Sequence, residues 1–364
     1  KHGLRTEEDY TQKAIEAASK AGVLVCVSAG NDGTCEGYGG ASNCWNMTDT
    51  ATLGSPGTAK LCLTVAAADI SVIDGVENKS MAHFTSWGPG NDLTIKPEIT
   101  APGVNINSTW DGSSYSSLDG TSMSTPFVSG CATLVINDIK RNNVSLDGNP
   151  LIGEELTKYI KANLMNTSDP MIDKTDYDET MQIPYSIRRQ GAGMVNAKKA
   201  IENKVIATYN DQAKIELGEL STGSKEFEIV LTNYGDKPAN YSLEASDVYR
   251  NIKDGKTCAI INDSAANISF GQSSVTVPAK GSVRVKANIN ISSGYVENSF
   301  VEAYVKFIGD GVVDLSMPLL GFYGSWVAEP LIDYPIYDET PSYLELIGAK
   351  NCMGFKIRNR FNGL

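Results

Sequence analysis

The spacing of apolar residues changes near Asn203 in this 364-residue chain. Before that point, unbroken apolar runs such as "VLVCVSA" (residues 23–29) and "LCLTVAAA" (61–68) alternate with segments whose apolar residues recur at helical spacing. Unbroken runs are typical of strands buried on both faces of a parallel sheet. Residues 1–203 are therefore predicted to form an α/β layer fold.

The helical spacing predicts helices over residues 7–20, 123–139, 154–165 and 197–203. The segment 123–139 is apolar nearly all round, which predicts a helix in the middle of the domain. We expect its small residues Ser129 and Gly130 to allow close packing, and Pro126 to lie in its first turn.

Beyond Asn203, apolar residues recur at every second position, as in "FEIVL" (residues 227–231) and "VRVKANINI" (283–291). The turn sequences "NYGD", "PAKG" and "GDG" separate such stretches. Residues 204–330 are therefore predicted to form an all-β sandwich. The alternation stops after "GFYGSW", so residues 331–364 are predicted to be the start of a further module or a C-terminal tail.

The composition fits a globular protein and argues against two classes of partner. Hydrophobic residues make up 41% of the chain and charged residues 20%. The net charge is −12 and no basic run is present, which excludes the electrostatic footprint of a nucleic-acid binder. No apolar run approaches the roughly 20 residues of a membrane-spanning helix, so no transmembrane segment is expected.

Five of the seven cysteines divide into two groups. Cys26, Cys62 and Cys131 lie in apolar runs and are predicted to be buried thiols. Cys35 and Cys44 bracket a Gly-rich loop that could close as a disulfide, and both states stay open here. Recurring Asn-x-Ser/Thr sequons favour an exported protein.

Ser122 lies in "GTSMSTPFVSG" (residues 120–130), at the expected start of a helix. Gly120 permits a tight backbone approach, and a helix N-terminus favours developing negative charge. Acyl transfer needs such an environment, because its serine nucleophile generates an oxyanion. For an isolated "GTS", an ordinary helix N-cap is the alternative interpretation.

Asn31 lies in "VSAGNDG" (residues 27–33), directly after a predicted buried strand. This position places a side-chain amide at the carboxyl edge of a parallel sheet, where α/β proteins bind their ligands. Asn31 could donate a hydrogen bond there, whereas a turn asparagine is the alternative for an isolated Asn-Asp-Gly.

Together, these segments resemble the subtilisin-like serine proteases. The resemblance extends over residues 1–203 and includes "GVLVCVSAGNDG", "LGSPGTAKLCLTVAAAD", "FTSWGP", "IKPEITAPGVNINST", "GTSMSTPFVSG" and "RRQGAGMVNAKKAI". It departs from the usual pattern at Glu98, where aspartate is common, and at Ser124, where alanine is usual. The resemblance implies that residues 1–203 are the C-terminal part of a catalytic domain, with helices on both faces of a parallel sheet.

The resemblance also implies an activity: a serine endopeptidase that hydrolyses protein or peptide substrates through a seryl acyl-enzyme. Ser122 would be the nucleophile and Asn31 the oxyanion-hole donor. Ser28, Ala29 and Gly30 would line one wall of the pocket for the substrate side chain that precedes the scissile bond. We assign no cofactor and no metal ligand.

The sandwich narrows the resemblance to a subgroup. A sandwich directly after the catalytic domain that leaves through "MPLLGFYGSW" resembles the lactocepin-type cell-envelope proteases and their complement-cleaving streptococcal relatives. This likeness implies a fibronectin type III-like sandwich and an extracellular or cell-envelope location.

The segments that carry the resemblance contain no general base and no acid to orient it. The chain has two histidines, and the Asp-Thr-Gly and His-Gly-Thr-His motifs of the family are absent. His2 stands too close to Asn31 to be the base, and His83 is predicted to be a surface or loop histidine. A triad of His83, Asp119 and Ser122 would have poor geometry, because Asp119 and Ser122 share one tight loop. We therefore expect the base and acid on an upstream polypeptide segment.

Two other functions compete with the protease hypothesis. A catalytically inactive relative would keep the fold for binding, but it would have no physical reason to retain both Ser122 and Asn31. Alternatively, residues 204–330 would serve adhesion or substrate docking, with the α/β part as scaffold.

Overall fold

The structure is a computed structural model that describes residues 10–33, 52–73, 75–90, 92–146, 148–173, 183–253, 258–326, 332–335 and 355–357. The helices are α1 (Tyr10–Lys20), α2 (Thr121–Arg141), α3 (Gly153–Asn166), α4 (Ile187–Gln190) and α5 (Ala197–Glu202). The strands before α5 are β1 (Cys26–Ser28), β2 (Leu63–Ile73), β3 (Val76–Met81), β4 (Ile99–Pro102), β5 (Ile106–Trp110), β6 (Ser114–Leu118), β7 (Ser145–Leu146) and β8 (Asn149–Pro150).

The predicted parallel sheet is confirmed. Strands β1 and β4 each pair with β2 in parallel, and β3 folds back on the distal half of β2 in antiparallel orientation. Side chains alternate across the sheet: Val25 and Val27 pack with Ile15 of α1, whereas Leu63 and Val65 pack with α2 and α3. Helices therefore cover both faces, as predicted.

The prediction for the central helix was partly wrong. Helix α2 begins two residues earlier than predicted, so Pro126 is its sixth residue and lies in the second turn. Proline has no N–H to donate to the carbonyl of Ser122, four residues earlier. One face of α2 is exposed at Phe127 (47%) and Leu134 (48%), and a Cβ on Gly130 would meet nothing within 4 Å. The small residues at 129–130 therefore do not serve close packing within the described residues.

The region after α5 forms the predicted sandwich. Its strands are β9 (Val205–Thr208), β10 (Ile215–Leu220), β11 (Gly223–Asn233), β12 (Ala239–Ala245), β13 (Tyr249–Lys253), β14 (Cys258–Asn262), β15 (Ala266–Phe270), β16 (Ser274–Val277), β17 (Ser282–Ile291), β18 (Ser299–Gly309) and β19 (Leu315–Tyr323). A seven-stranded sheet follows the order β10-β19-β18-β12-β16 with β13 and β14 off this path, and a four-stranded sheet has the order β15-β17-β11-β9.

The inward members of each alternating run form one apolar core between these sheets. It includes Ile229, Leu231, Val285 and Phe307, each at 0% exposure. A further antiparallel pair, β20 (Ile332–Pro335) and β21 (Phe355–Ile357), follows the sandwich.

The sandwich packs directly against the α/β part. Leu93, Ile95 and Ile187 of the α/β part share an apolar cluster with Phe300 and Phe322 of the sandwich. All five are at least 96% buried. The seam is thus a continuation of the protein core, and it can transmit a change in one part to the other.

The described cysteines match their prediction in part. Cys62 and Cys131 are buried free thiols, whereas Cys26 is only half-buried. Burial raises the pKa of the Cys26 thiol. The question of a bridge between Cys35 and Cys44 lies outside the described residues.

None of the helices described is long and apolar enough to cross a membrane.

Candidate active site

Ser122 is the second residue of α2 and is exposed. The turn before it is tight: Gly120 has φ 151° and ψ 157°, a region open essentially to glycine alone, and its N–H donates to the carbonyl of Gly103 (2.8 Å). Because the first N–H groups of a helix lack partners within it, the Ser122 hydroxyl lies where negative charge is favoured.

Asn31 follows β1 on a segment that is fixed from both sides. Gly30 has φ 109°, and a Cβ there would lie 2.8 Å from the hydroxyl of Ser86. The Ser86 N–H donates to the carbonyl of Gly30 (3.0 Å), and its hydroxyl accepts from the N–H of Asp32 (3.0 Å). Ser86 thus bonds to the residues on either side of Asn31, and the side chain of Asn31 stays exposed.

The structure brings Asn31 to the residue before Ser122. The Oδ1 of Asn31 accepts from the N–H (3.0 Å) and the hydroxyl (2.9 Å) of Thr121. A backbone N–H can only donate, so the amide oxygen must face Thr121, and Nδ2 keeps both hydrogens for another acceptor. A Cβ on Gly120 would lie 3.4 Å from that nitrogen, so the amide lies beside the turn that leads into Ser122.

Ser28, Ala29 and Gly30 form the stretch that leads from β1 into Asn31. Ser28 is half-buried and Ala29 is fully buried. Ala29 donates its N–H to the carbonyl of Val65 (2.9 Å), and its own carbonyl accepts from Gly54 (2.9 Å). The Gly30 N–H donates to the Thr121 hydroxyl (3.2 Å), which ties this stretch to the start of α2.

His83 and Asp119 occupy separate loops. His83 is exposed in the turn after β3, with its ring in edge contact with Phe84 (5.4 Å between centroids). Asp119 is exposed after β6, and its carboxylate accepts from the N–H of Asn105 (2.6 Å). Among the residues described, no three His, Cys, Asp or Glu side chains group closely enough to hold a metal ion.

Ser86 and Thr121 were not among the predicted site residues. Both belong to sequence segments that carry the family resemblance, "FTSWGP" and "GTSMSTPFVSG". These segments therefore point to Ser86 and Thr121, but only the folded chain shows that their hydroxyls hold the segment that bears Asn31.

A buried ionic cluster around Glu98 was not predicted from the sequence. Its carboxylate, at 0% exposure, lies 2.8 Å from Nζ of Lys96, 2.6 Å from Lys161 and 3.0 Å from Lys214. Burial by itself raises the pKa of Glu98, but the three ammonium groups outweigh that effect and hold it well below its usual range. Because Lys214 precedes β10, the cluster joins the α/β part to the sandwich.

The fold therefore combines a parallel sheet, a helix whose second residue is Ser122, and a β-sandwich that follows them. Residues 4–193, more than half of the chain, match the model of the subtilase family of peptidases. The chain therefore belongs to the subtilase family of serine proteases. Residues 215–320 match an Fn3-like domain.

Individual relatives carry protease names. The chain is 32% identical over 267 residues to the PII-type proteinase of Lacticaseibacillus paracasei, across 70% of this chain and 14% of that protein. It is 31% identical over 282 residues to the C5a peptidase of Streptococcus pyogenes serotype M1, across 73% and 22%. The chain thus spans less than a quarter of the length of these relatives. The solved structure of the prenylagaramide maturation protease PagA aligns with a TM-score of 0.38 at 24% identity, over 55% of this chain and 56% of that one.

Proposed function

We propose that this chain supplies the nucleophile, Ser122, and the oxyanion-hole donor, Asn31, of a serine endopeptidase. The observation that carries the proposal is the pair of hydrogen bonds from Thr121 to Asn31 Oδ1, because they turn the amide N–H groups away from Thr121 beside the nucleophile turn. Retention of both residues in one compact arrangement favours catalysis over a binding role alone.

The chemistry follows the two steps of acyl transfer. The Ser122 oxygen attacks the peptide carbonyl while its proton passes to a general base, and the carbonyl oxygen becomes an oxyanion. Nδ2 of Asn31 and the N-terminus of α2 stabilise that charge. The C–N bond then breaks, the amine leaves with the proton from the base, and water hydrolyses the acyl ester to restore Ser122.

We infer that the base and its orienting acid come from polypeptide outside these 364 residues. The family motifs that carry them are absent here, and the exposed His83 lies in a turn after β3 while Asp119 is bonded to Asn105. Such an upstream segment is the proposed polypeptide partner of this chain.

The remaining proposals concern substrate, location and organisation. Ser28, Ala29 and Gly30 form one wall of the pocket for the residue before the scissile bond, and the substrates are proteins or peptides. Residues 1–203 belong to the catalytic domain, 204–330 to the sandwich and 331–364 to a further module or tail. The sequons and the resemblance to cell-envelope proteases support an extracellular or cell-envelope location.

A fluorophosphonate reagent tests the proposal in the active protease that contains this chain. Modification is expected on the peptide that carries Ser122, together with loss of peptidase activity, and Ser122→Ala should abolish both. Ser129→Ala is the matched control, because Ser129 is an exposed serine on the same helix. A protein that binds peptides but shows neither labelling nor hydrolysis would instead be a catalytically inactive binding relative.

A further inference from the structure

We propose that Glu302, a carboxylate of the sandwich, is a positioning residue for Asn31, and that the sandwich thereby sets the turnover rate of the site. This inference rests on the proposed function. Three contacts, each between residues distant in sequence, connect the two side chains.

The first contact joins the sandwich to α4. Glu302 lies on β18 at 0% exposure. Its Oε1 accepts from the hydroxyl of Ser186 (2.9 Å) and from Nε of Arg188 (2.7 Å), while Oε2 accepts from the N–H of Ile187 (2.8 Å). One carboxylate thus receives three donors from three consecutive residues. On the same strand, the hydroxyl of Tyr304 donates to the carbonyl of Gly191 (2.7 Å), so β18 holds both ends of α4.

The second contact joins α4 to residues 86–88. The carbonyl of Arg188 accepts from the N–H of Gly88 (2.7 Å), and the Arg188 guanidinium lies 5.6 Å from the ring centroid of Trp87. Gly88 is closely packed, since a Cβ there would lie 1.8 Å from the carbonyl oxygen of Lys96. A shift of Arg188 must therefore move this segment or break its hydrogen bond.

The third contact joins residues 86–88 to Asn31. Ser86, fully buried, bonds to Gly30 and to Asp32, the residues on either side of Asn31. Gly30 is tightly packed against Ser86, because a Cβ on Gly30 would lie 2.8 Å from the Ser86 hydroxyl. The orientation of the Asn31 amide therefore depends on where residues 86–88 lie, and these in turn depend on Glu302.

Glu302→Gln tests this dependence with little change in volume. The amide replaces one acceptor oxygen with an NH₂ group, so at least one donor among residues 186–188 loses its acceptor in a buried site. We expect kcat for a peptide substrate to fall about tenfold to a hundredfold while KM changes little, since a small misplacement of catalytic groups acts on the chemical step. Glu216→Gln is the matched control: Glu216 is also a sandwich carboxylate that bonds across the seam, to the N–H of Ile95 (2.7 Å), and its loss should leave kcat nearly unchanged.

A double-mutant cycle separates positioning from general loosening. If Glu302 acts through Asn31, Glu302→Gln should lower kcat no further in an Asn31→Ala background. Effects that multiply in the double variant would overturn the inference, as would an unchanged kcat in Glu302→Gln. Should that variant fail to fold, Ser86→Ala removes the hydroxyl bond to Asp32, which is half of the third contact, and the inference then requires a fall in kcat at unchanged KM.

The outcomes also separate this inference from the proposed function. An active Ser122→Ala variant would overturn the function and the inference together. An inactive Ser122→Ala variant beside a fully active Glu302→Gln variant would overturn only the role of Glu302.

Discussion

At the scale of single residues, the two hydrogen bonds to Asn31 Oδ1 leave the Nδ2 hydrogens for the proposed oxyanion. We predict that Asn31→Ala lowers kcat by about 10²–10³, the cost of losing an oxyanion-hole donor in subtilisin-type proteases, with KM little changed. Steady-state kinetics on a peptide substrate would measure this. Thr121→Ser keeps both groups that bond to Asn31 and should retain most of the activity. Equal losses in the two variants would contradict a specific role for the amide.

Removal of the Ser124 hydroxyl is predicted to stabilise the protein. Its side chain is fully buried, its hydroxyl has no hydrogen-bond partner within the described structure, and it packs against Gly103, where a Cβ would come within 2.2 Å. Removal of an unsatisfied buried hydroxyl should stabilise the fold, so Ser124→Ala is expected to raise the free energy of unfolding by about 1 kcal/mol. Urea denaturation would measure it, and a destabilised variant would mean that the hydroxyl does have a partner.

At the scale of elements, the short helix α5 depends on its N-cap. The side chain of Asn196 accepts from the N–H of Lys199 (3.1 Å) and donates to Asp169 (2.9 Å). Asn196→Ala should therefore cost about 1 kcal/mol of unfolding free energy, whereas Asn196→Ser, which keeps a capping oxygen, should cost less. Thermal denaturation of both variants checks this order, and equal stability in the two would exclude capping as the cause.

The predicted and the unpredicted elements differ in how they are stabilised. Runs such as residues 61–68 and 283–291 were predictable because of how they are buried. A strand buried on both faces is apolar throughout, and a strand buried on one face is apolar at every second residue. The hairpin of β5 and β6, just before the nucleophile turn, was missed. Its strands are mostly exposed and rich in serine, so cross-strand pairing holds them without an apolar pattern.

At the scale of the whole molecule, the Glu98 cluster predicts an acid-sensitive seam. The folded pKa of Glu98 lies well below the unfolded value of about 4.3, so the folded state binds fewer protons. The resulting stability is fully present above about pH 4.3 and is lost as the pH falls through the folded pKa. We expect the free energy of unfolding, measured by denaturant titration at several pH values, to fall in this acid range.

Glu98→Gln should remove that acid dependence and, because it takes away the carboxylate that pairs with the buried ammonium groups of Lys96 and Lys161, cost about 3–5 kcal/mol at neutral pH. Glu154→Gln is the control, since Glu154 forms a partly exposed helical pair with Lys158 (3.4 Å) and should change stability by less than about 0.5 kcal/mol. If Glu98→Gln kept the acid dependence of the wild type, other carboxylates would be its source.

The amino-acid sequence by itself determined the two architectures, because hydrophobic period is a local property, and it made Ser122 and Asn31 candidates through motifs that resemble those of a known family. Only the tertiary structure decided which partners these residues meet. Lys161 and Lys214 reach Glu98, and Glu302 reaches Arg188, across long stretches of chain. A buried charge is tolerated only where folding brings its counter-charge to it, and no local pattern encodes that meeting.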